Sequence, residues 1–347
     1  MTADHLLIKA ATRKPAHRRP FWIVDQSLIF REFIDLFEHE GNFLSLMSNP
    51  LKATEISLIP FYELKVDAIE LFSSPYLPAN FMNLDCKFER NQKRLLKPVR
   101  NSAQAKNLVF PQIEKDLKFV LDTLRNLHGQ SFDAPIIAGC AGAMSLSAFV
   151  IDGTINHEMY FSRAILYAHE EAFTRILRKI NEFLIEFALA QIEAGAEVIC
   201  VHDPFAKLLS YENFQRLYLP LLKNFVSAVQ TDEIPVIYNA DGIYPFIDML
   251  IEVGFDAVSI DNMHSAKAAL EKVDNKISLQ GNFDPVLLLG QPDKMETQIT
   301  SHLQELGRNH GFIGTFCGEI PKFVSLDNLK FFIRKYQELS SGYATSK

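Results

Sequence analysis

Short apolar runs alternate with longer amphipathic stretches along this 347-residue chain. Eight such runs cover residues 21–25, 67–72, 135–139, 197–203, 234–239, 256–261, 276–280 and 312–316. Within them apolar residues follow one another without polar alternation, the pattern of parallel strands buried on both faces. Between them the period changes. Phe173, Ile176, Leu177, Ile180, Phe183, Leu184 and Phe187 recur at three and four residues and share one helical face. Leu117, Val120, Leu121 and Leu124 do the same ahead of the third run, and Phe246, Leu250 and Ile251 ahead of the sixth. Gly195, Gly254 and Gly307 stand where helices must end just before the next strand, as α-to-β connections require.

Strand and helix in alternation imply an α/β fold with a parallel sheet and right-handed crossovers. Eight units in one chain favour closure into a single (β/α)8 TIM barrel, with a core from about residue 20 to 337 and an N-terminal extension before it. An open doubly wound sheet is the alternative, and no G-x-G-x-x-G follows the first run to support it. The stretch 77–107 breaks the rhythm: it carries CKFERNQKRLLKPVR, with Lys87, Arg90, Lys93 and Arg94, inserted after the second strand. In a barrel this insertion lies on the catalytic face, either as a lid or substrate clamp or as a solvated hairpin.

Composition narrows the function classes. A net charge of −7 and pI near 5.8, spread evenly, give no footprint for nucleic acid. Cys86, Cys140, Cys200 and Cys317 contain no C-x-x-C pair, so reduced thiols and a cytoplasmic location are expected. The apolar stretch 183–190 is interrupted by Glu186 and predicts no membrane span.

Polar residues follow nearly every apolar run: Asp25 and Gln26, Ser73 and Ser74, Cys140, His202 and Asp203, Asn239 and Asp241, Asp261 and Asn262, Gln280 and Asn282, and Cys317. One such residue alone would be a helix cap. The set predicts a binding site where the βα loops converge. His202 and Asp203 are adjacent on a strand and must point to opposite sides of the sheet. They are therefore not expected to act as a catalytic dyad. Tyr238 is expected to pack.

Six segments run through the chain in order: RRPFWIVDQ, LFSSPYLP, AGCAGAMSLSAFVIDG, QIEAGAEVICVHDPFAKLLS, LQGNFDPVLLL and CGEIPKFVSLDNL. Through them the sequence, from about His5 to Tyr336, resembles the uroporphyrinogen decarboxylase superfamily, which includes corrinoid-dependent methyltransferases on the same barrel. In that order they stand at the family's P-V-W-x-x-R-Q, F-S-D-I-L, G-F-A-G-x-P with its V-E-G end, Q-x-x-A-G-A-x-x-x-x-x-D-S, L-Q-G-N-L-D-P and closing G-H-G-x-x-P segments.

The resemblance implies a cofactor-free carboxy-lyase site in a homodimer. It places Asp25, Asp203 and Cys317 at catalytic positions, with Gln26, Ser74, Phe149, Asn239 and Asp261 around a small-molecule substrate. By the same match Asp203 is the inward member of its pair. Several positions depart from the decarboxylase pattern. Asp25 replaces an arginine that meets substrate carboxylates, Ile29 a second arginine, Ser74 the aspartate of F-S-D, Phe149 the active-site tyrosine, Pro204 the serine of D-S, and Cys317 the late histidine. Loss of one charged partner in a desolvated site costs roughly 2–5 kcal/mol. Efficient decarboxylation of uroporphyrinogen, with its eight carboxylates, is therefore not expected.

The methyltransferase branch binds zinc through a His-x-Cys pair after the fifth strand and a late cysteine. Asn239 and Asp241 stand at the pair, and Cys317 at the late position. The alternative is thus a zinc- or corrinoid-linked methyltransferase, with Asp241 and Cys317 as metal ligands and a corrinoid protein as partner. A third possibility is a non-catalytic, ligand-binding barrel.

Overall fold

The computed structural model describes residues 4–24, 30, 34–35, 37–38, 42–89, 92–155 and 158–343, and at 88, 89, 92 and 93 the backbone alone. Its strands are β1 (Ile69–Glu70), β2 (Cys86–Glu89), β3 (Gln92–Leu95), β4 (Ile136–Ala141), β5 (Val198–His202), β6 (Val236–Asn239), β7 (Ala257–Ser259), β8 (Ser278–Phe283) and β9 (Phe312–Phe316). Seven form one sheet in the order β1-β4-β5-β6-β7-β8-β9, each pair parallel. All seven lie within or overlap the later seven apolar runs, as expected for strands covered on both faces.

The first run contributes a bridge rather than a strand of its own. Phe21 pairs in parallel with Gly314 of β9. The Trp22 N–H donates to the Gly314 carbonyl at 3.0 Å, and the Asp67 N–H, just before β1, donates to the Phe21 carbonyl at 2.9 Å. Residues 21 and 22 thus bond toward both edges, and the sheet is curled.

The principal helices are α1 (Leu6–Ala11), α2 (Pro50–Leu64), α3 (Lys118–His128), α4 (Ala143–Asp152), α5 (Glu170–Glu193), α6 (Leu219–Val229), α7 (Ile247–Val253), α8 (Ala266–Val273), α9 (Pro292–Leu306) and α10 (Leu326–Ser340). The period-3.6 face read in the sequence is the buried face of α5, with Phe173, Ile176, Leu177, Ile180, Phe183, Leu184 and Phe187 all in the core. Gly254 closes α7 in the left-handed region at φ 88°, which a residue with a Cβ adopts only at a cost.

The core divides by strand parity. Ala68, Ile137, Val198, Cys200, Ile237, Ala257 and Ile313 cluster with Trp22 and α1 inside the curl. Their alternates, among them Ile136, Ala138, Ile199, Val201, Tyr238, Val258 and Leu279, pack outward against the helices. Helix α1 closes the N-terminal end of this interior: Ser278 Oγ donates to the carbonyls of Ala10 and Ala11 at 2.7 and 2.8 Å.

The basic insertion contains the antiparallel hairpin β2–β3. It is anchored beside the end of α4, where the Leu95 N–H donates to the Gly153 carbonyl at 2.6 Å, while Lys87, Arg94 and Lys97 are exposed. Among the described residues no helix is long and apolar enough to cross a membrane.

Candidate active site

Parity decides which strand-end residues face inward. Val198 and Cys200 belong to the interior cluster, so period two carries His202 inward as well. Ile199 and Val201 face the helices, and Asp203 follows them outward. This reverses the assignment made from the sequence motif, which put Asp203 inside and His202 among the helices. The motif match aligns residues but carries no parity, and both faces of β5 are apolar.

Asp203 is fully buried between the sheet and α4. Its Oδ1 accepts from the Ser145 N–H at 2.9 Å and the Ser145 hydroxyl at 2.6 Å. Its Oδ2 accepts from the Tyr238 hydroxyl at 2.7 Å and also from the Tyr218 hydroxyl. Ser145 lies in the first turn of α4, whose N-cap is Gly142 and offers no side chain. The carboxylate thus caps a helix from a distant strand, where free N–H groups and the helix dipole favour negative charge. Gly142 makes this possible, because a Cβ there would overlap the Asp203 carboxyl group. Burial raises the Asp203 pKa, and the donated hydrogen bonds pull it back down. Tyr238 packs outward as expected, and it also spends its hydroxyl here.

The inward set is different. His202 Nδ1 lies 3.3 Å from Asn239 Nδ2, which can only donate, so the ring proton is assigned to Nε2. Nε2 faces Glu70 Oε1 at 3.7 Å, with side-chain exposures of 12% and 20%. Gly139 on the adjacent strand leaves room for the ring: a Cβ there would lie 2.9 Å from Nε2. Gln280 and Trp22 are fully buried and Thr315 is nearly so, and all three alternate with outward residues and face the interior. Both amide atoms of Gln280, the Trp22 indole N–H and the Thr315 hydroxyl have no hydrogen-bond partner among the described residues. A buried polar group left without any partner costs about 1–3 kcal/mol.

Carboxylates surround the rest of the mouth. Asp261 Oδ2 accepts from the Gly242 N–H at 3.1 Å, and Oδ1 accepts from the Met263 N–H at 3.0 Å and meets His264 Nδ1 at 2.8 Å. Asp261 therefore ties together the loops after β6 and β7. Asp241 is open to solvent on one side and crowded on others. This partial desolvation raises its pKa, Lys207 opposes the rise, and Asp261 adds to it. Cys317 Sγ donates to the Ile260 carbonyl at 3.4 Å. Burial, then the nearby Asp241 and Asp261 charges, push its pKa up to about 12, so it is a thiol at neutral pH.

A family model described as Uroporphyrinogen decarboxylase (URO-D) matches residues 2–339. The chain belongs to the uroporphyrinogen decarboxylase family. Among similar proteins of that name, one from Syntrophotalea carbinolica is 30% identical over 334 residues, covering 96% of this chain and 97% of its own. Another, from Chlorobium luteolum, is 27% identical over 351 residues, covering 99% of this chain and all of its own. A solved methyltransferase from Methanosarcina mazei shares the fold at 20% identity, with a TM-score of 0.81 over 97% of this chain and 99% of that one. A B12-independent methionine synthase from Shewanella aligns at 14% identity with a TM-score of 0.53, covering 86% of this chain and 88% of its own.

The remaining family positions are distributed unevenly. Asp25 and Gln26 lie outside the described residues. Ser74 is buried after β1, its Oγ accepting from the Tyr76 N–H at 3.4 Å. Phe149 has no solvent exposure and meets Tyr76 edge-on at 5.1 Å, so it is packed within α4 rather than presented to the mouth. For zinc, the donors do not suffice. Asp203 is turned outward, and among the described residues no three His, Cys, Asp or Glu side chains gather closely enough to hold a metal ion. The inward His202 and Glu70 are the functional candidates that sequence reasoning undervalued. The small Gly139 on the neighbouring strand is a faint sequence signal for the first, and nothing in the sequence singles out Glu70.

Proposed function

We propose that this uroporphyrinogen decarboxylase family member is a cofactor-free carboxy-lyase acting on a small carboxylated molecule other than uroporphyrinogen, in a single (β/α)8 barrel domain closed by the Phe21 segment. The observation that carries the reading is the inward polar set: His202 with Asn239 and Glu70, and the Gln280 amide, Trp22 indole and Thr315 hydroxyl, which have no hydrogen-bond partner among the described residues. In such a reaction the bond between the carboxylate and its carbon breaks, CO2 leaves, and the electron pair is held by the substrate's own unsaturated framework. His202, first protonated from solvent to the imidazolium with Glu70 beside Nε2 and the Asn239 amide turned to accept from Nδ1, then gives its Nε2 proton to that carbon and returns to the neutral ring. A positioned general acid contributes about 10²–10⁴-fold.

The choice of substrate rests on charge. Asp25 stands where the family has an arginine, and Asp241 and Asp261 add negative charge to the mouth. A polyanion would meet repulsion where its relatives offer cations. A substrate with few carboxylates and a compensating positive charge suits this mouth. A dimer with facing mouths is the assembly implied by the family. The methyltransferase reading ranks second, because its zinc would need more donors than Asp241 and Cys317 supply.

The test is an anaerobic assay with uroporphyrinogen III beside the Syntrophotalea carbinolica relative, scoring porphyrinogen products. Turnover at least about a thousandfold lower is expected from two lost cationic contacts. Rates within tenfold of the relative would overturn the substrate assignment. A small-carboxylate screen by thermal shift then follows, in which His202→Gln is expected to remove turnover of any substrate found. Unchanged turnover would remove His202 from the mechanism.

A further inference from the structure

The loop after β7 carries a second histidine, His264, that the reaction proposed above leaves unused. It is tied to Asp261. Val258 and Ile260 face the helices and Ala257 the interior, so period two carries Asp261 inward. The Asp261 carboxylate is held by two loops: Oδ2 accepts from the Gly242 N–H at 3.1 Å, and Oδ1 from the Met263 N–H at 3.0 Å. Oδ1 also lies 2.8 Å from His264 Nδ1, and a carboxylate oxygen only accepts, so the ring proton is assigned to Nδ1. Asn282 Nδ2 fixes the turn between them, donating to the Asp261 and His264 carbonyls at 3.1 and 2.8 Å. The ring itself lies against Tyr244, with centroids 4.1 Å apart. These contacts set the direction of Nε2. That nitrogen has no hydrogen-bond partner among the described residues, and 29% of the side chain is exposed.

A neutral ring that gives its Nδ1 proton to a carboxylate presents a lone pair at Nε2. The surroundings favour a cationic donor there. Asp241, on the loop after β6, makes no hydrogen bond or ion pair among the described residues, and Lys207 and Asp261 are the charged groups that act on it. Lys207 is exposed and forms no ion pair among the described residues, so two carboxylates stand against one solvated ammonium. A further unspent group lies alongside. Gln280 pairs in register with Ser259, two residues before Asp261 on the same inward face. It is fully buried, and neither amide atom has a partner among the described residues. An anion would meet a lone pair and two like charges, whereas a cationic N–H meets complementary groups. We propose, resting on the substrate charge inferred above, that His264, oriented by Asp261, is the binding residue for the substrate's protonated nitrogen, whose N–H donates to Nε2. The proton stays on that nitrogen and the ring stays neutral. Two histidines thereby divide the work: His202 gives a proton, and His264 holds the cationic end.

The experiment soaks crystals of the whole protein in para-iodobenzamidine at neutral pH, with para-iodobenzoate as the anionic control. Anomalous scattering from iodine is expected to orient the amidine with an amidinium nitrogen within hydrogen-bonding reach of His264 Nε2, and to show no benzoate there. In solution, at constant ionic strength, the amidine is expected to raise the unfolding midpoint by about 2 °C and to saturate. His264→Leu is expected to lose that rise. No amidine at Nε2, benzoate in its place, or a full response in His264→Leu would overturn the proposal. If His264→Leu does not fold, the soaked crystals of the unaltered protein decide. Amidine at Nε2 without turnover of any carboxylate would leave this site standing and remove the lyase reading. Turnover that depends on His202, with Nε2 empty in the soaked crystals, would do the reverse.

Discussion

Two neighbouring residues at the end of β5 occupy opposite chemical settings. On the outer side, Asp203 has its hydrogen-bonding capacity largely spent, on Ser145, Tyr218 and Tyr238, with no solvent contact. On the inner side, His202 sits with Asn239 and Glu70, and the inward amide of Gln280, indole of Trp22 and hydroxyl of Thr315 have no hydrogen-bond partner among the described residues. The satisfied polar group is a fastener, and under the proposed function the inner ones meet the ligand. An aspartate next to a histidine at a strand end thus says little until each side chain's face is known.

The comparison can be broken most directly at Asp203. Asp203→Ala should cost about 3–5 kcal/mol in chemical denaturation, because it strands two tyrosine hydroxyls and the first turn of α4. A cost below about 1 kcal/mol would mean that the outer network is not a fastener. Next in size comes Gly142→Ala, expected to cost about 3 kcal/mol, since the new methyl overlaps a carboxyl group that cannot move without giving up its partners.

Asp203→Asn should cost less, about 1–2 kcal/mol, and should alter the pH dependence of stability. The folded-state pKa lies above the ordinary 3.8, so folding takes up a proton between those two values. The stability linked to that proton is present in full below 3.8 and is lost as pH rises through the folded pKa. The Asn variant should lack this decline, and an unchanged profile would place the titration elsewhere.

On the inner side the effects shrink. Gly139→Ala should cost about 1 kcal/mol, because the contact 2.9 Å away is the far end of an imidazole that can turn aside. His202→Gln should change the unfolding free energy least, by under about 0.5 kcal/mol, while abolishing ligand-dependent stabilisation. A large stability loss from this variant would merge the two settings into one structural network.

Much of the scaffold is legible in the sequence. The apolar runs mark the seven strands of the sheet, and the seven-residue stripe from Phe173 to Phe187 marks the buried face of α5. Parity was not legible, because strands apolar on both sides carry no mark of which side is inner, and Asp203 was misplaced for that reason. That Gln280, Trp22 and Thr315 find no hydrogen-bond partner among the described residues was equally hidden, since it depends on β8, β9 and the Phe21 segment converging.

The pairing of Phe21 with Gly314 also sets a timetable for synthesis. The partners lie nearly a whole chain apart, so β4, β5 and β6 can associate while the ribosome is still working, but the two sheet edges stay open until residue 314 emerges. Such a distant contact is entropically expensive to form and gives little back until it closes. During that interval the exposed edges of β1 and the newest strand are available to wrong partners. The nascent chain's vulnerability to mispairing is thus greatest late in translation and ends with a single short segment.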